Sequence, residues 1–157
     1  MEDLRTLLDD ASLDRLREGY DPTALLRANV VATEQVYPPA GPWCAGIASS
    51  FFGPDTPLKP VDRERCLVGL LAYTGPDISL SVHIYWGLME GLSLAEASQT
   101  VALTGCYGGL PKAYQGFAVI ARTAMLLKRA ASASSPGSLE ILELLVKEFM
   151  PGADIRP

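Results

Sequence analysis

The segment from Asp77 to Gly91, DISLSVHIYWGLMEG, restricts the fold more than any other part of the chain. Asp77 can cap a helix and Gly91 can end one, yet the residues between them are apolar all round. Ile78, Val82, Ile84, Tyr85, Leu88 and Met89 leave no face for water, so such a helix exists only inside a shell of other elements or against another subunit. Near its middle stands His83, the single histidine of 157 residues. On a helix, Ser79, Leu80, Trp86 and Gly87 lie three or four residues from it, and Glu90 follows one turn later on the same stripe.

The remaining sequence supplies a shell of helices. EDLRTLL sets Leu4, Leu7 and Leu8 on one face, and SLDRLREG restarts with Ser12 as a cap and stops at Gly19. Asp21 before Pro22 opens TALLRANVVATEQVY, which Pro38 and Pro39 forbid to continue. WCAGIASSFF spaces Ile47, Ala48 and Phe51 helically, and the proline-rich GPDTPLKP reads as a surface loop and the best internal boundary. Beyond it Asp62 is placed to cap RERCLVGLLAYTG, and Ser93 with Glu96 forms a capping box before LAEASQTVALTGCY. GGLP breaks that helix, Pro111 starts KAYQGFAVIARTAMLLKRAASA, and SSPG ends it. Ser138 then caps LEILELLVKEF, where Leu139, Leu142, Leu145, Val146 and Phe149 oppose Glu140, Glu143 and Lys147. Nothing alternates as a strand would, so the expectation is an all-α protein of about eight helices in one domain spanning residues 1–157.

Composition narrows the partners. A hydrophobic content of 48% and a mean hydropathy of +0.18 are enough for one core. The net charge of −5, with 13 scattered basic residues, offers no stripe for a phosphate backbone, so nucleic acid is not an expected partner. No apolar run approaches the ~18 residues that cross a bilayer, and MEDLRTLLDD is acidic where a signal peptide is basic. A cytoplasmic address and no membrane partner are expected. Cys44, Cys66 and Cys106 are odd in number and far apart, which suits reduced thiols. Zinc would need clustered ligands that one histidine cannot anchor, so no metal is expected. His83 itself fits two readings: a core residue with its hydrogen bonds satisfied, or an acid/base group.

From Arg63 to about Ala121 the chain resembles the superfamily that joins carboxymuconolactone decarboxylases to alkylhydroperoxidase-D-like proteins. The resemblance is carried by RERCLVGLLA, by His83 with Gly91 eight positions on, by GLSLAEASQTVAL and by CYGGLPKAYQGFAV. It implies an alkylhydroperoxidase-D-like helical bundle with a family-like core at about 60–125, a helical extension at 1–60 and a C-terminal helix at 138–150. It also implies a homo-oligomer, trimer or hexamer. The peroxidase branch carries Cys-x-x-Cys-x-x-x-His; here Pro76 and Ser79 stand at the cysteine positions, and neither can attack a peroxide or close a disulfide. A thiol peroxidase is thereby disfavoured.

The decarboxylase branch keeps the histidine without the cysteines. The resemblance implies a cofactor-independent lyase or isomerase acting on a small cyclic, lactone or polyketide-like molecule, with a non-catalytic small-molecule binder as the alternative. His83 would be the acid or base, oriented by Glu64 or Glu90. Glu64 has the nineteen-residue spacing of the family's relay glutamate, while a second alignment puts Cys66 there, and both stay open. Tyr107, Tyr85 and Trp86 are the candidate oxyanion donors, and each also fits a core aromatic. Ser79, Arg65, Glu90 and Cys106 complete the expected substrate contacts. Tyr85 occupies the place of an arginine that family decarboxylases commonly carry, leaving only Arg63, Arg65, Lys112 and Arg122 as flanking cations. A less charged, aromatic-lined pocket is therefore expected.

Overall fold

The computed structural model describes residues 3–53 and 55–152. Among them are eight α-helices and no strand: α1 Asp10–Glu18, α2 Pro22–Val36, α3 Gly41–Phe52, α4 Pro60–Thr74, α5 Asp77–Met89, α6 Leu94–Gly108, α7 Leu110–Ala133 and α8 Ser138–Phe149. Short 3-10 turns occupy Leu4–Thr6 and Pro38–Ala40. The all-α class read from the patterning is the class the chain adopts. No helix among the described residues is long and apolar enough to cross a membrane.

Helix ends hold where several signals coincide. Asp21 accepts from the N–H groups of Thr23 and Ala24 with Pro22 in the first turn of α2. Ser93 and Glu96 close a reciprocal capping box on α6. Gly91 adopts φ +99°, and the Leu92 N–H reaches the Gly87 carbonyl at 2.7 Å, so α5 ends in a Schellman turn.

Elsewhere the polar residue nearest the apolar run is not the cap. Asp9 caps α1 by accepting from the Ser12 N–H at 2.8 Å, which places Ser12 inside the helix and buries it. Lys59, Pro76 and Gly137 precede α4, α5 and α8 without a side-chain cap. Asp62 and Asp77 lie instead in first turns, where a carboxylate still meets the positive helix end. The Ser138 hydroxyl serves another segment, accepting the Asp21 N–H at 2.7 Å. EDLRTLL forms one 3-10 turn rather than a helix, with Glu2 outside the described residues.

One continuous core runs from Leu7 to Leu145. α5 lies within it, packed by α4, α7, α8 and α1, with Ile84, Tyr85 and Leu88 almost wholly withdrawn from water. α8 turns Ile141, Leu145 and Val146 inward and leaves Leu139 exposed, so its buried stripe is rotated from the one expected. α2 packs on α3 and α8. Across the 53–59 segment, whose Pro54 lies outside the described residues, Phe52 before it stacks under the Arg63 guanidinium after it, 4.4 Å away.

Candidate active site

Glu64 of α4 is fully buried, a placement that costs several kcal/mol for a carboxylate unless both oxygens are partnered. Both are. Oε1 accepts from Arg63 Nε at 3.0 Å, and Oε2 lies 2.8 Å from His83 Nδ1 on α5. A carboxylate paired with a permanently charged guanidinium can only accept. The imidazole proton therefore sits on Nδ1, and Nε2 is the nitrogen left for chemistry. Among the described residues Glu64 is the ring's only hydrogen-bond partner. Gly87 packs closely here: a Cβ there would lie 2.9 Å from Leu92 Cδ2 and in ordinary contact, at 3.4 Å, with the Glu64 Cβ.

Aromatic rings set the imidazole plane. Trp86, three residues on, stacks on His83 at 5.9 Å with an interplanar angle of 8°. Phe52 at the end of α3 stacks on Trp86 at 5.1 Å. Arg63 ties this wall to the carboxylate by covering Phe52 while Nη1 donates to the Phe51 carbonyl at 3.3 Å.

His83 and Trp86 open onto a cavity of about 440 Å³ between α2, α3 and α5, walled mainly by aliphatic side chains such as Leu26, Ile47, Ile78 and Val82. That volume suits a small organic molecule. The His83 side chain is 19% exposed and lines this cavity, which is partly open to solvent. Of the expected residues, Ser79 and Trp86 line the chamber, and Glu64 reaches His83 from behind. Cys66 points out to solvent, so the residue paired with His83 is Glu64.

Other expected residues are not brought to this chamber. Tyr85 is buried beside α8, 3.3 Å from Ser138 Oγ, and burial raises its hydroxyl pKa. Arg65 bridges Asp62 at 2.6 Å and Glu96 at 2.9 Å on the outer surface. Glu90 accepts from the Tyr20 hydroxyl at 2.7 Å, and burial followed by this carboxylate pushes Tyr20 far above its ordinary value. Cys106 is exposed, and Tyr107 is 91% exposed, so neither contributes to the chamber walls. Arg122 pairs with Glu148 on the surface. The cation nearest the imidazole is Arg63, one carboxylate away.

Phe52, Leu26 and Cys44 line the chamber from a region that reads in sequence as a covering extension. The available signal is in α2, whose Leu25, Leu26, Ala28 and Ala32 spread over more than one face. Such breadth marks contact on two sides without naming the partner.

This arrangement can move a proton. An imidazole held in one orientation, backed by a carboxylate and beside an apolar cavity, has the parts that general acid/base chemistry requires. Trp86 Nε1 is buried without a partner among the described residues, a state that costs about 1–3 kcal/mol. Among the described residues no three His, Cys, Asp or Glu side chains gather as metal ligands would. Compared with the models of known families, with curated proteins and with solved structures, the chain matches none.

Proposed function

We propose that the chain is a cofactor-independent lyase or isomerase in which His83 Nε2 exchanges a proton with a carbon or oxygen of a small cyclic, lactone or polyketide-like substrate. The observation that carries this reading is the Arg63–Glu64–His83 chain, which ends at a partly open cavity with mainly apolar walls. Glu64 holds the Nδ1 tautomer and stabilises the imidazolium that forms when Nε2 takes a proton. The apolar walls disfavour charge on the substrate before reaction and favour its dispersal during it. The resemblance to the carboxymuconolactone decarboxylase branch belongs to the same reading, as does a cytoplasmic compartment suited to three thiols.

The reading extends to a homo-oligomer. Leu70 and Tyr73 of α4, Leu103 and Tyr107 of α6, and Leu110 and Tyr114 of α7 are all at least half exposed. These three helices pack on one another, and an apolar surface of this kind marks association.

The test is carbon-bound hydrogen exchange of α-angelica lactone in deuterated water, followed by proton NMR. The native protein accelerates exchange, and His83→Gln lowers that acceleration by ~10²-fold or more with helical content unchanged. Equal rates for the two proteins contradict the assignment.

A further inference from the structure

The Phe52–Trp86 stack separates two chambers. Beyond the His83 cavity lies a second one, of about 430 Å³, and the two share Leu26, Phe52 and Trp86. Their linings differ in kind. Among the described residues no Lys, Arg, Asp or Glu lines the His83 side, whereas the second chamber is lined by Lys59, Arg63 and Glu90. Arg63 is 9% exposed, its Nε is taken by Glu64 and its Nη1 by the Phe51 carbonyl, and Nη2 has no protein partner among the described residues. Trp86, 5% exposed and common to both chambers, carries the second unpartnered donor, Nε1. Of these two donors only Trp86 Nε1 is closed off from water, whereas Arg63 Nη2 leaves a charged N–H free for a ligand oxygen.

We propose that the second chamber is a carboxylate subsite and that the substrate is an apolar monocarboxylic acid spanning the partition. Its carboxylate sits on Arg63 Nη2 and its body reaches past Phe52 toward His83 Nε2. One carboxylate suits the lining: among the described residues Lys59 is its one cation not paired with a carboxylate, Arg63 shares its charge with Glu64, and Glu90 Oε1 is already held by Tyr20. A dianion would set its second charge against Glu90. Phe52 is the last residue of α3, with Gly53 following, so its side chain can turn aside without unwinding a helix interior. This inference rests on the acid/base reading for the role of His83, but its test does not depend on turnover.

Trp86 is one of two tryptophans, and the other, Trp43, is 69% exposed. Trp43→Phe therefore leaves Trp86 as the sole reporter. Titration of that protein with hydrocinnamate, hydrocinnamamide and phenylsuccinate is read by its fluorescence. The monoacid gives saturable quenching with an affinity at least about tenfold above the amide and the diacid. Arg63→Gln erases the preference for the acid, and Arg63→Lys keeps part of it. Equal affinity for acid and amide, no saturable quenching by the acid, or a preference that survives Arg63→Gln each overturns the proposal. Because acid and amide are compared on a protein with native Arg63, the result does not depend on how the Arg63 variants fold. Failure of lactone exchange alongside normal acid binding would remove the catalytic reading and leave the subsite.

Discussion

Two regions of the molecule are rich in aromatic residues, and they serve different ends. Inside, Phe52, His83 and Trp86 stack in near-parallel planes with Arg63 and Glu64 behind them. Outside, Tyr73, Tyr107 and Tyr114 stand on α4, α6 and α7, half to almost fully exposed. Ring content does not separate the two. The inner group has a fixed charge network and a void beside it, whereas no hydrogen bond orients the three outer tyrosines among the described residues. The proposed chemistry belongs to the network, and the proposed association to the bare surface.

The largest expected effect breaks the inner region. Glu64→Ala leaves the Arg63 guanidinium buried without its carboxylate and lowers stability by about 3–5 kcal/mol, measurable as a shifted denaturant midpoint. A loss under about 1 kcal/mol would show that the pair is not buried as described. The outer region should answer differently. If the proposed oligomer forms through this surface, Leu103→Asp lowers its sedimentation coefficient while leaving helical content in place, because Leu103 is 59% exposed and outside the core. An unchanged sedimentation coefficient would take the patch out of the assembly.

The smallest effect calibrates both. Glu96 is held below the ordinary carboxylate value first by its hydrogen bonds from Ser93 and then by Arg65. A group lowered in the folded state adds stability above its unfolded value and loses it as pH falls through the folded one. Glu96→Gln therefore costs about 0.5 kcal/mol at neutral pH, and the difference from the native chain closes in acid. A difference that grows in acid would reverse the sign of this account.

Much of the architecture is legible in sequence because caps and stops are local. Asp21–Pro22, the Ser93–Glu96 box and Gly91 each act within one turn, so their chemistry can be read from neighbours along the chain. Asp62, Asp77 and Ser138 mislead for the same reason: each resembles a cap locally, but a residue one to three places earlier already begins the helix. His83 with Ser79 and Trp86 is a same-helix relation and follows from helical spacing. The Glu64 contact is not local; only the family resemblance points to its nineteen-residue separation, and that resemblance equally allows Cys66 at the position. Phe52 and the α2 wall join the chamber through packing that no spacing encodes. Tyr107 shows the converse, since an aromatic near the end of a helix can face a chamber or solvent, and here it faces out.

The central claim is that Glu64 fixes the His83 tautomer and turns Nε2 toward the chamber. Because the chain has one histidine, ¹⁵N-histidine labelling gives a single imidazole spectrum in a long-range proton–nitrogen correlation experiment. The account predicts a protonated Nδ1 at neutral pH whose slowly exchanging proton disappears in Glu64→Gln. An unprotonated Nδ1, or a ring averaging between tautomers as free imidazole does, would contradict it.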